Sequence, residues 1–329
     1  MTAVARRLEP TTSVETSPAR GLERMRRDVL EALGRRPMRE LPTQYLYDAR
    51  GSALFDRICE LPEYYPTRTE LAIMQDHVAA MARGVGERAL VIEYGSGSGI
   101  KTRRLLEELR APAGCVLVDI SREHLLRSAA RLAAELPHVE VLPVVADFTA
   151  PFAVPRPRAA VRRRVVYFPG STIGNFLPQP ATRLLQQMAA QVGPGGGLLI
   201  GTDLRKDPAV LEAAYNDAQG VTAAFNLNLL RRIDRELGAD FDLGAFEHRA
   251  IYDEALGRIE MLLVSREAQS VRVAGRRFEL AAGEAIRTEY SHKYTVEGFH
   301  ELAAAAGWRP EEVWMDEQRW FAVHLLRQP

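Results

Sequence analysis

A glycine-rich turn and the carboxylates that follow it are the residues whose types and spacing point most directly to chemistry. The apolar run at residues 90–92 breaks into Glu93-Tyr94-Gly95-Ser96-Gly97-Ser98-Gly99, and glycine lets a backbone turn sharply and approach a ligand closely. Asp119 ends a second apolar run about 20 residues further on, where a carboxylate can accept hydrogen bonds from a ribose diol. Asp147 and Phe148 follow a third such run. The arrangement predicts a site for a nucleoside-containing cofactor, although a glycine turn can also serve packing alone.

Polar side chains in the second half of the chain could orient a small acceptor. Asn175 comes shortly after the apolar run 165–168, and ligands of parallel sheets bind beyond the carboxyl ends of such strands. Residues 286–294 alternate strictly, so Glu289, Ser291 and Lys293 are predicted to share one face of a strand. The opposite face then carries Tyr290, His292 and Tyr294. A solvated edge strand would show the same alternation, so this pattern alone leaves both interpretations open.

The elements that must position these residues follow an α/β pattern. Between residues 89 and 203, continuous apolar runs alternate with helical periodicity, which is typical of a doubly wound parallel sheet covered on both faces. Beyond residue 205 the pattern changes to amphipathic helices at 208–215 and 221–237 and short strands at 258–264 and 270–273. We therefore predict a Rossmann-like core with a second, mixed α+β lobe that binds the substrate.

The predicted segments divide the chain between this core and this lobe. They are a disordered tail at 1–20, the N-terminal part of the lobe at 21–68, the cofactor-binding core at 69–205, the inserted lobe at 206–292 and a C-terminal completion of the core at 293–329. Helices are also expected at 22–33, 69–81, 101–109 and 296–306, and a last strand at 321–326.

Composition narrows the class of partner. The 329-residue chain carries 43 basic and 43 acidic residues, so it lacks the positive excess that binds a phosphate backbone, and a small-molecule substrate is favoured over nucleic acid. Cys59 and Cys115 show no metal-binding or redox spacing, which indicates a reduced, cytoplasmic protein without a metal site. No apolar run spans a bilayer and no charged-then-apolar leader is recognised, so we expect neither membrane insertion nor secretion. We expect a monomer.

Two glycine clusters resemble those of the class I S-adenosylmethionine-dependent methyltransferases. The first reads E-x-G-x-G-x-G rather than the G-x-G-x-x-G of dehydrogenases, and Gly193-Pro194-Gly195-Gly196-Gly197 precedes the apolar run 198–201. Within that class, motifs spread over nearly the whole chain after the tail resemble the histidine Nα-methyltransferases of ergothioneine biosynthesis. These motifs are Tyr47-Asp48-x-x-Gly51-Ser52, Leu61-Pro62-Glu63-Tyr64-Tyr65-Pro66-Thr67-Arg68, Gly170-Ser171-Thr172-Ile173-Gly174-Asn175, Tyr215-Asn216-Asp217, Gly220-Val221-Thr222-Ala223 and Thr288-Glu289-Tyr290-Ser291.

The resemblance implies an enzyme that transfers three methyl groups in succession from S-adenosylmethionine to the α-amine of L-histidine. It places Asn175 and Tyr215 at the acceptor's α-carboxylate and amino end, with Tyr47 as a third catalytic residue. The residues that it places around the imidazole and along the substrate pocket are Tyr64, Glu289, Ser291, Phe55 and Met261. The cofactor residues that it implies are Gly95, Gly97, Lys101, Asp119, Asp147 and Phe148.

Tyr290 and His292 depart from the family pattern, since a compared member has a small aliphatic residue and a cysteine at these positions. The alternation directs both side chains away from the Glu289 face. One alternative keeps the chemistry and changes the acceptor to another aromatic or imidazole-bearing amino acid, for example a tryptophan. Another is a non-catalytic S-adenosylmethionine-binding protein, which would not need the polar residues of the second lobe. A dehydrogenase would need a different glycine spacing.

Overall fold

The computed structural model describes residues 11–12, 18–95, 97 and 99–329, and an eight-stranded sheet forms its centre. The helices are α1 (Pro18–Gly34), α2 (Ala49–Glu60), α3 (Tyr65–Val85), α4 (Ile100–Glu108), α5 (Arg122–Glu135), α6 (Pro178–Val192), α7 (Pro208–Tyr215), α8 (Val221–Leu237) and α9 (Val296–Ala305). The strands are β1 (Thr11–Thr12), β2 (Arg39–Glu40), β3 (Ala89–Tyr94), β4 (Gly114–Asp119), β5 (Val141–Val145), β6 (Arg163–Phe168), β7 (Gly197–Asp203), β8 (Phe246–Asp253), β9 (Arg258–Ser265), β10 (Gln269–Val273), β11 (Arg276–Leu280), β12 (Ala285–His292), β13 (Arg309–Met315) and β14 (Phe321–Arg327).

The central sheet has the order β1-β5-β4-β3-β6-β7-β14-β13. Its first six strands in that order run parallel, whereas β14 is antiparallel to both β7 and β13. Val91 belongs to the apolar cluster that contains Met74 and Leu105, and its neighbour Ile92 belongs to a separate cluster that contains Leu185 and Phe299. Helices therefore cover both faces, which is why the strands are apolar throughout. The predicted doubly wound core is confirmed.

The second lobe is built around a four-stranded sheet of order β2-β12-β9-β8, beside the hairpin of β10 and β11. Its core joins residues from distant parts of the chain, including Met25, Leu211, Phe225 and Ile286. Helix α3 contributes Tyr65 to this core, whereas Ile73, two turns later, belongs to the core of the central sheet. The predicted division of the chain between the cofactor-binding core and the substrate lobe stays a prediction. It is supported by the presence of these separate apolar cores.

The predicted N-terminal tail is wrong where the structure describes it. Thr11–Thr12 pairs in parallel with Val144 and Val145 of β5, and α1 begins at Pro18. The sequence shows no apolar periodicity in this region. Strand β1 is held by backbone pairing, and α1 is held by later residues that are buried, such as Met25. The rest of the predicted tail, residues 1–10 and 13–17, lies outside the described residues.

Several other boundaries differ from the sequence prediction. Helix α3 begins at Tyr65 rather than Thr69, because Pro66 fits the first turn of a helix, where no N–H partner is needed. Strands β8, β11 and β13 were not predicted. The strict alternation of β12 is interrupted by a bulge at Thr288, where the register shifts between Arg287 and Glu289. The solvated-edge interpretation of β12 is also wrong, since every residue from 288 to 293 is buried.

Both cysteines, Cys59 and Cys115, are free thiols. Among the described residues, no helix has the length and apolar character needed to cross a lipid bilayer.

Candidate active site

The glycine-rich turn lies at the carboxyl edge of the central sheet, between β3 and α4. Gly95, Gly97 and Gly99 have φ angles of 78°, 37° and 70°, which favour glycine over residues with a Cβ atom. A Cβ atom on Gly95 would lie 3.8 Å from Cε1 of Phe148. The turn and this aromatic ring therefore border the same space.

Asp119 and Asp147 lie at the same edge of the sheet, at the end of β4 and just after β5. Oδ1 of Asp119 accepts a hydrogen bond from the backbone N–H of Ser121 at 2.8 Å. Oδ1 of Asp147 accepts one from the backbone N–H of Thr149 at 3.0 Å, and its Oδ2 accepts from Arg24 of α1 at 2.7 Å. Each carboxylate is thus held by its own turn beside the glycine-rich turn.

Two further acids at this edge are buried. Oε2 of Glu93 has no hydrogen-bond partner among the described residues, and burial raises the pKa of Glu93 to about 8. Glu70 of α3 accepts from Lys101 and, at 2.9 Å, from the backbone N–H of Gly170. This pairing ties the helix after the glycine turn to the loop after β6, and the predicted cofactor contact of Lys101 stays a prediction.

An aromatic wall lines the second lobe where it faces the sheet edge. Its members are Tyr47, Phe55, Tyr64, Tyr215 and Phe225, whose neighbouring ring centroids lie 5.4 to 6.1 Å apart. Burial raises the pKa of Tyr47 and of Tyr64 well above the usual tyrosine range. Both phenols therefore stay neutral and serve as hydrogen-bonding, water-excluding surface.

Asp48 follows Tyr47, the first residue of the aromatic wall, and links helices α2 and α8. It is the N-cap of α2, where its Oδ1 accepts from the backbone N–H of Gly51 at 2.8 Å. The same carboxylate accepts from Asn228 and Arg235 of α8, each at 2.8 Å. The turn that carries Tyr47 is thereby fixed against the helix that carries Phe225.

Glu289 carries a buried carboxyl group. It stands opposite Met261 in the register of β12 and β9, and its Oε2 makes no hydrogen bond with any described residue. Burial raises the pKa of Glu289 to about 8, against the opposing effect of Lys293. An unpartnered buried carboxyl is costly, so this oxygen is the natural place for a ligand's N–H group.

Ser291 and Tyr215 form a hydroxyl pair on the same face of β12. The Ser291 Oγ and Tyr215 Oη atoms lie 2.7 Å apart. Lys293 Nζ donates to Ser291 at 2.8 Å, to Tyr215 at 3.0 Å and to Asp203 Oδ2 at 2.7 Å. Asp203 also binds Lys206 at 2.6 Å and accepts from the Tyr65 hydroxyl at 2.8 Å. We refer to Lys293, Asp203, Lys206 and Tyr65 as the buried charge cluster.

Asn175 ends a short helical turn, Thr172–Asn175, that follows β6. A Cβ atom on Gly174 would lie 2.8 Å from the backbone oxygen of His292, so glycine allows this turn to lie against β12. Asn175 and Glu289 line the same cleft, whose volume is about 170 Å³ and which Thr288 and Tyr290 also line. The structure thus brings together residues that are more than a hundred positions apart in the sequence.

Tyr290 and His292 lie on the side of β12 away from the hydroxyl pair, as the alternation predicts. The Tyr290 hydroxyl donates to Glu40 at 2.6 Å, and Nδ1 of His292 lies 2.9 Å from the backbone oxygen of Gly174. The two residues that depart from the family pattern are therefore occupied in holding β12 to its neighbours.

A larger cleft of about 600 Å³ lies at the opposite edge of the sheet, lined by Arg163 and Arg164 among others. Arg163 donates to the carbonyl oxygens of Gly84 and Val85 at 3.4 Å, and Arg164 to that of Gln191 at 3.2 Å. These carbonyls end α3 and α6, where cations are favoured. The arginines cap helices, and the cleft contains none of the site residues predicted from the sequence.

The buried charge cluster is the part of the site that sequence reasoning missed. Asp203 ends strand β7 as Asp119 ends β4, so its position carried the same signal. Lys293 shares the face of Glu289 and Ser291, but nothing in the local pattern shows that it pairs with Asp203. Glu70 gave no signal, because it lies in the interior of an amphipathic helix.

The parallel sheet with its glycine turn, its two strand-end carboxylates and an aromatic ring beside the turn is the arrangement of an α/β enzyme that binds a nucleoside-containing cofactor. A family model described as histidine-specific, S-adenosylmethionine-dependent methyltransferase matches residues 25–328, and the chain belongs to this family. The predicted family, fold class and enzyme class are confirmed, and the dehydrogenase and non-catalytic alternatives are wrong.

Named relatives match most of the chain. It is 44% identical over 309 residues to the histidine N-alpha-methyltransferase of Mycolicibacterium smegmatis, covering 92% of this chain and 94% of that one. It is 42% identical over 306 residues to the histidine N-alpha-methyltransferase of Mycobacterium tuberculosis, with the same coverage of both chains. It is 32% identical over 301 residues to ergothioneine biosynthesis protein 1 of Neurospora crassa, covering 88% of this chain and 33% of that protein.

The residues at the sheet edge fit S-adenosylmethionine, the cofactor of this family. Asp119 can accept from a ribose diol, the Phe148 ring can pack against the adenine, and the unpartnered Oε2 of Glu93 can accept from a donor group near the glycine turn. Within the described residues, no three or more His, Cys, Asp or Glu side chains are grouped so as to hold a metal ion.

Proposed function

We propose that the protein methylates the α-amine of L-histidine three times in succession, giving Nα,Nα,Nα-trimethylhistidine in the first step of ergothioneine biosynthesis. The observation that carries this proposal is the buried Oε2 of Glu289, which has no partner among the described residues and lies on the same face of β12 as Ser291. A neutral imidazole has one N–H donor and one acceptor nitrogen, so it can pair with a carboxyl oxygen and a hydroxyl at once. The names of the mycobacterial relatives support the same acceptor.

The chain's contribution to the transfer is orientation. When bound, S-adenosylmethionine supplies a methyl group on a positively charged sulfur. Asn175 and Tyr215 hold the α-carboxylate and amino end of histidine, and Tyr47 borders the amine, so that the amine lone pair lies in line with the donor. The aromatic wall keeps water out of this space. Methyl transfer of this kind needs no metal, so a chelator is expected to leave the rate unchanged.

Each remaining predicted residue keeps its role in this proposal. The substrate-binding residues besides Asn175 and Tyr215 are Tyr64, Phe55, Met261, Glu289 and Ser291. The cofactor-binding residues are Gly95, Gly97, Lys101, Asp119, Asp147 and Phe148.

The test is an acceptor panel. The purified protein is incubated with S-adenosylmethionine and each of the free amino acids, and stepwise mass gains are recorded with and without a chelator. The proposal expects mono-, di- and trimethylated histidine and no comparable product from tryptophan or phenylalanine. Methylation of another amino acid in preference to histidine would contradict it.

We also propose that the protein is cytoplasmic and monomeric. The free thiols Cys59 and Cys115 support a reducing compartment such as the cytoplasm. We expect a monomer, and light scattering on the eluate of a sizing column measures this directly.

A further inference from the structure

Lys293 is the one cation that contacts both hydroxyls of the proposed acceptor site within the described residues. Its ammonium group is fully buried, as is the Asp203 carboxylate with which it pairs. The Asp203 carboxylate is shared with Lys206 at 2.6 Å and with the Tyr65 hydroxyl at 2.8 Å. The buried charge cluster therefore lies directly against the Ser291 and Tyr215 hydroxyls.

The donors of Lys293 determine which way the Ser291 and Tyr215 hydroxyls can donate. A lysine ammonium has three donors and no acceptor, and the three donors of Lys293 are directed at Asp203, Ser291 and Tyr215. Each hydroxyl oxygen therefore accepts from Lys293, and neither hydroxyl can donate back to it. The proton of each hydroxyl must point to the other hydroxyl or into the site.

The two hydroxyl protons cannot both be used within the pair. Across the 2.7 Å between Ser291 Oγ and Tyr215 Oη, one hydroxyl donates and the other accepts. One O–H group is left over, and it faces the acceptor site as a donor. A ligand that separates the two hydroxyls meets two donors, one for its carboxylate end and one for its ring.

We propose that Lys293 is a positioning residue that holds the Ser291 and Tyr215 hydroxyls as donors and so selects a substrate ring with an unprotonated nitrogen. This inference rests on the proposed function and deepens it. A neutral imidazole offers an acceptor nitrogen to Ser291 and an N–H to Glu289. A ring with an N–H alone, such as a pyrrole or an indole, leaves the Ser291 donor buried without a partner, which lowers kcat/KM on the order of tenfold or more.

The test compares two lysine variants that share an ion-pair partner. Lys293→Met keeps the length of the side chain and removes its three donors, while Asp203 stays paired with Lys206. Lys206→Met is the matched control, because Lys206 also binds Asp203 but donates to neither Ser291 nor Tyr215. The substrates are histidine and the two pyrrolylalanines (2-yl and 3-yl), in which carbon replaces one or the other ring nitrogen.

The expected result is a change in selectivity rather than a uniform loss. In wild type, kcat/KM should favour histidine over both pyrrole analogues. Lys293→Met removes the donor that occupies the Ser291 oxygen, so Ser291 can accept from a ring N–H, and the ratio of kcat/KM for histidine to that for the better analogue should fall on the order of tenfold. Lys206→Met should keep the wild-type ratio whatever its effect on the absolute rate.

The failures of the inference and of the proposed function are distinguishable. A wild-type protein that methylates histidine, together with an unchanged ratio in Lys293→Met, contradicts the inference alone. A wild-type protein that does not methylate histidine contradicts the proposed function and this inference with it.

A measurement on the unmodified protein covers the case in which Lys293→Met does not fold. Ring-¹⁵N-labelled histidine is bound to wild type with S-adenosylhomocysteine, and its nitrogen chemical shifts are recorded. One protonated and one unprotonated ring nitrogen are expected. A doubly protonated ring would overturn the inference, because it has no acceptor for Ser291.

Discussion

Glu289 of β12 and Lys293, which directly follows this strand, are both buried, but their charged groups differ in their partners. Lys293 has three oxygen partners; burial works to lower its pKa, but the Asp203 carboxylate and the Tyr215 hydroxyl raise it overall. Glu289 has an oxygen with no partner among the described residues, and burial raises its pKa to about 8. The lysine is thus fully paired before any ligand arrives, whereas the glutamate is held ready for a donor from the substrate.

Glu289→Gln should change how the stability of the ligand-free protein depends on pH. Between about pH 4.5 and about pH 8, folded wild type holds a proton on Glu289 that the unfolded chain releases, so this group lowers the free energy of unfolding as pH rises. Glutamine does not titrate, so the variant should gain stability relative to wild type from about pH 5 to about pH 8. Urea unfolding at both pH values measures this. The raised pKa of Glu93 is common to both proteins and cancels, so a constant difference would contradict the assigned environment of Glu289.

Asp119→Ala should weaken cofactor binding. If Asp119 accepts hydrogen bonds from a ribose diol, removing the carboxylate should cost about 1.5–3 kcal/mol of binding free energy. Calorimetry with S-adenosylhomocysteine measures this, and Asp76→Ala, an exposed acid on α3, is the control. Unchanged affinity in a folded Asp119→Ala protein would remove the ribose assignment.

At the scale of elements, strands β3 to β7 and β14 of the central sheet were predictable because they contain continuous apolar runs, and α7 and α8 because their periodicity is regular. Strand β13 begins Arg309-Pro310 and carries two glutamates, so it has no apolar pattern; its backbone pairing with β14 defines it. The bulge at Thr288 could not be predicted from the neighbouring sequence either, because it depends on the pairing register of β12 with β9. Elements were thus missed where tertiary pairing outweighs local pattern.

Asp48→Ala should raise the KM for histidine and leave S-adenosylhomocysteine affinity unchanged. The variant loses the N-cap of α2 and the contacts to α8, which lowers the free energy of unfolding by about 0.5–2 kcal/mol for the cap alone and loosens the turn that carries Tyr47. Steady-state kinetics and calorimetry check both results.

Asp242→Ala is the control for this loss of a cap. Asp242 accepts from the backbone N–H of Gly244 at 2.9 Å at the start of the short turn Leu243–Ala245. Its loss should lower stability without raising the histidine KM. An equal rise in KM in both variants would show that the effect is general destabilisation.

At the scale of the whole molecule, the proposed site is assembled from two cores. The cofactor edge belongs to the central sheet, and the aromatic wall belongs to the core of the second lobe. Residues at this junction, such as Asp203 and Lys293, are 90 positions apart in the chain. The sequence indicated the strands that carry them, but a contact over this separation follows only from the fold.

Hydrogen–deuterium exchange should report the two cores separately. S-adenosylhomocysteine alone should protect the turns that follow β3, β4 and β5, where Gly95, Asp119 and Asp147 lie. Adding histidine should extend protection to α2, α8 and β12, because the acceptor bridges the lobe to the sheet edge. Equal protection of the lobe by S-adenosylhomocysteine alone would contradict this division of roles.

The central claim, that the Glu289 face of β12 recognises the imidazole of histidine, is tested most directly by a competition assay. The ratio of kcat/KM for histidine to that for phenylalanine is measured in wild type, Glu289→Ala and Tyr290→Phe. Glu289→Ala should lower this ratio on the order of tenfold or more, mainly through a raised histidine KM, because the penalty of leaving a buried carboxyl unpaired beside a ring that has no N–H disappears. Tyr290→Phe removes a hydroxyl bonded to Glu40 on the other side of the strand, and should leave the ratio nearly unchanged. A larger shift in Tyr290→Phe than in Glu289→Ala would contradict the account.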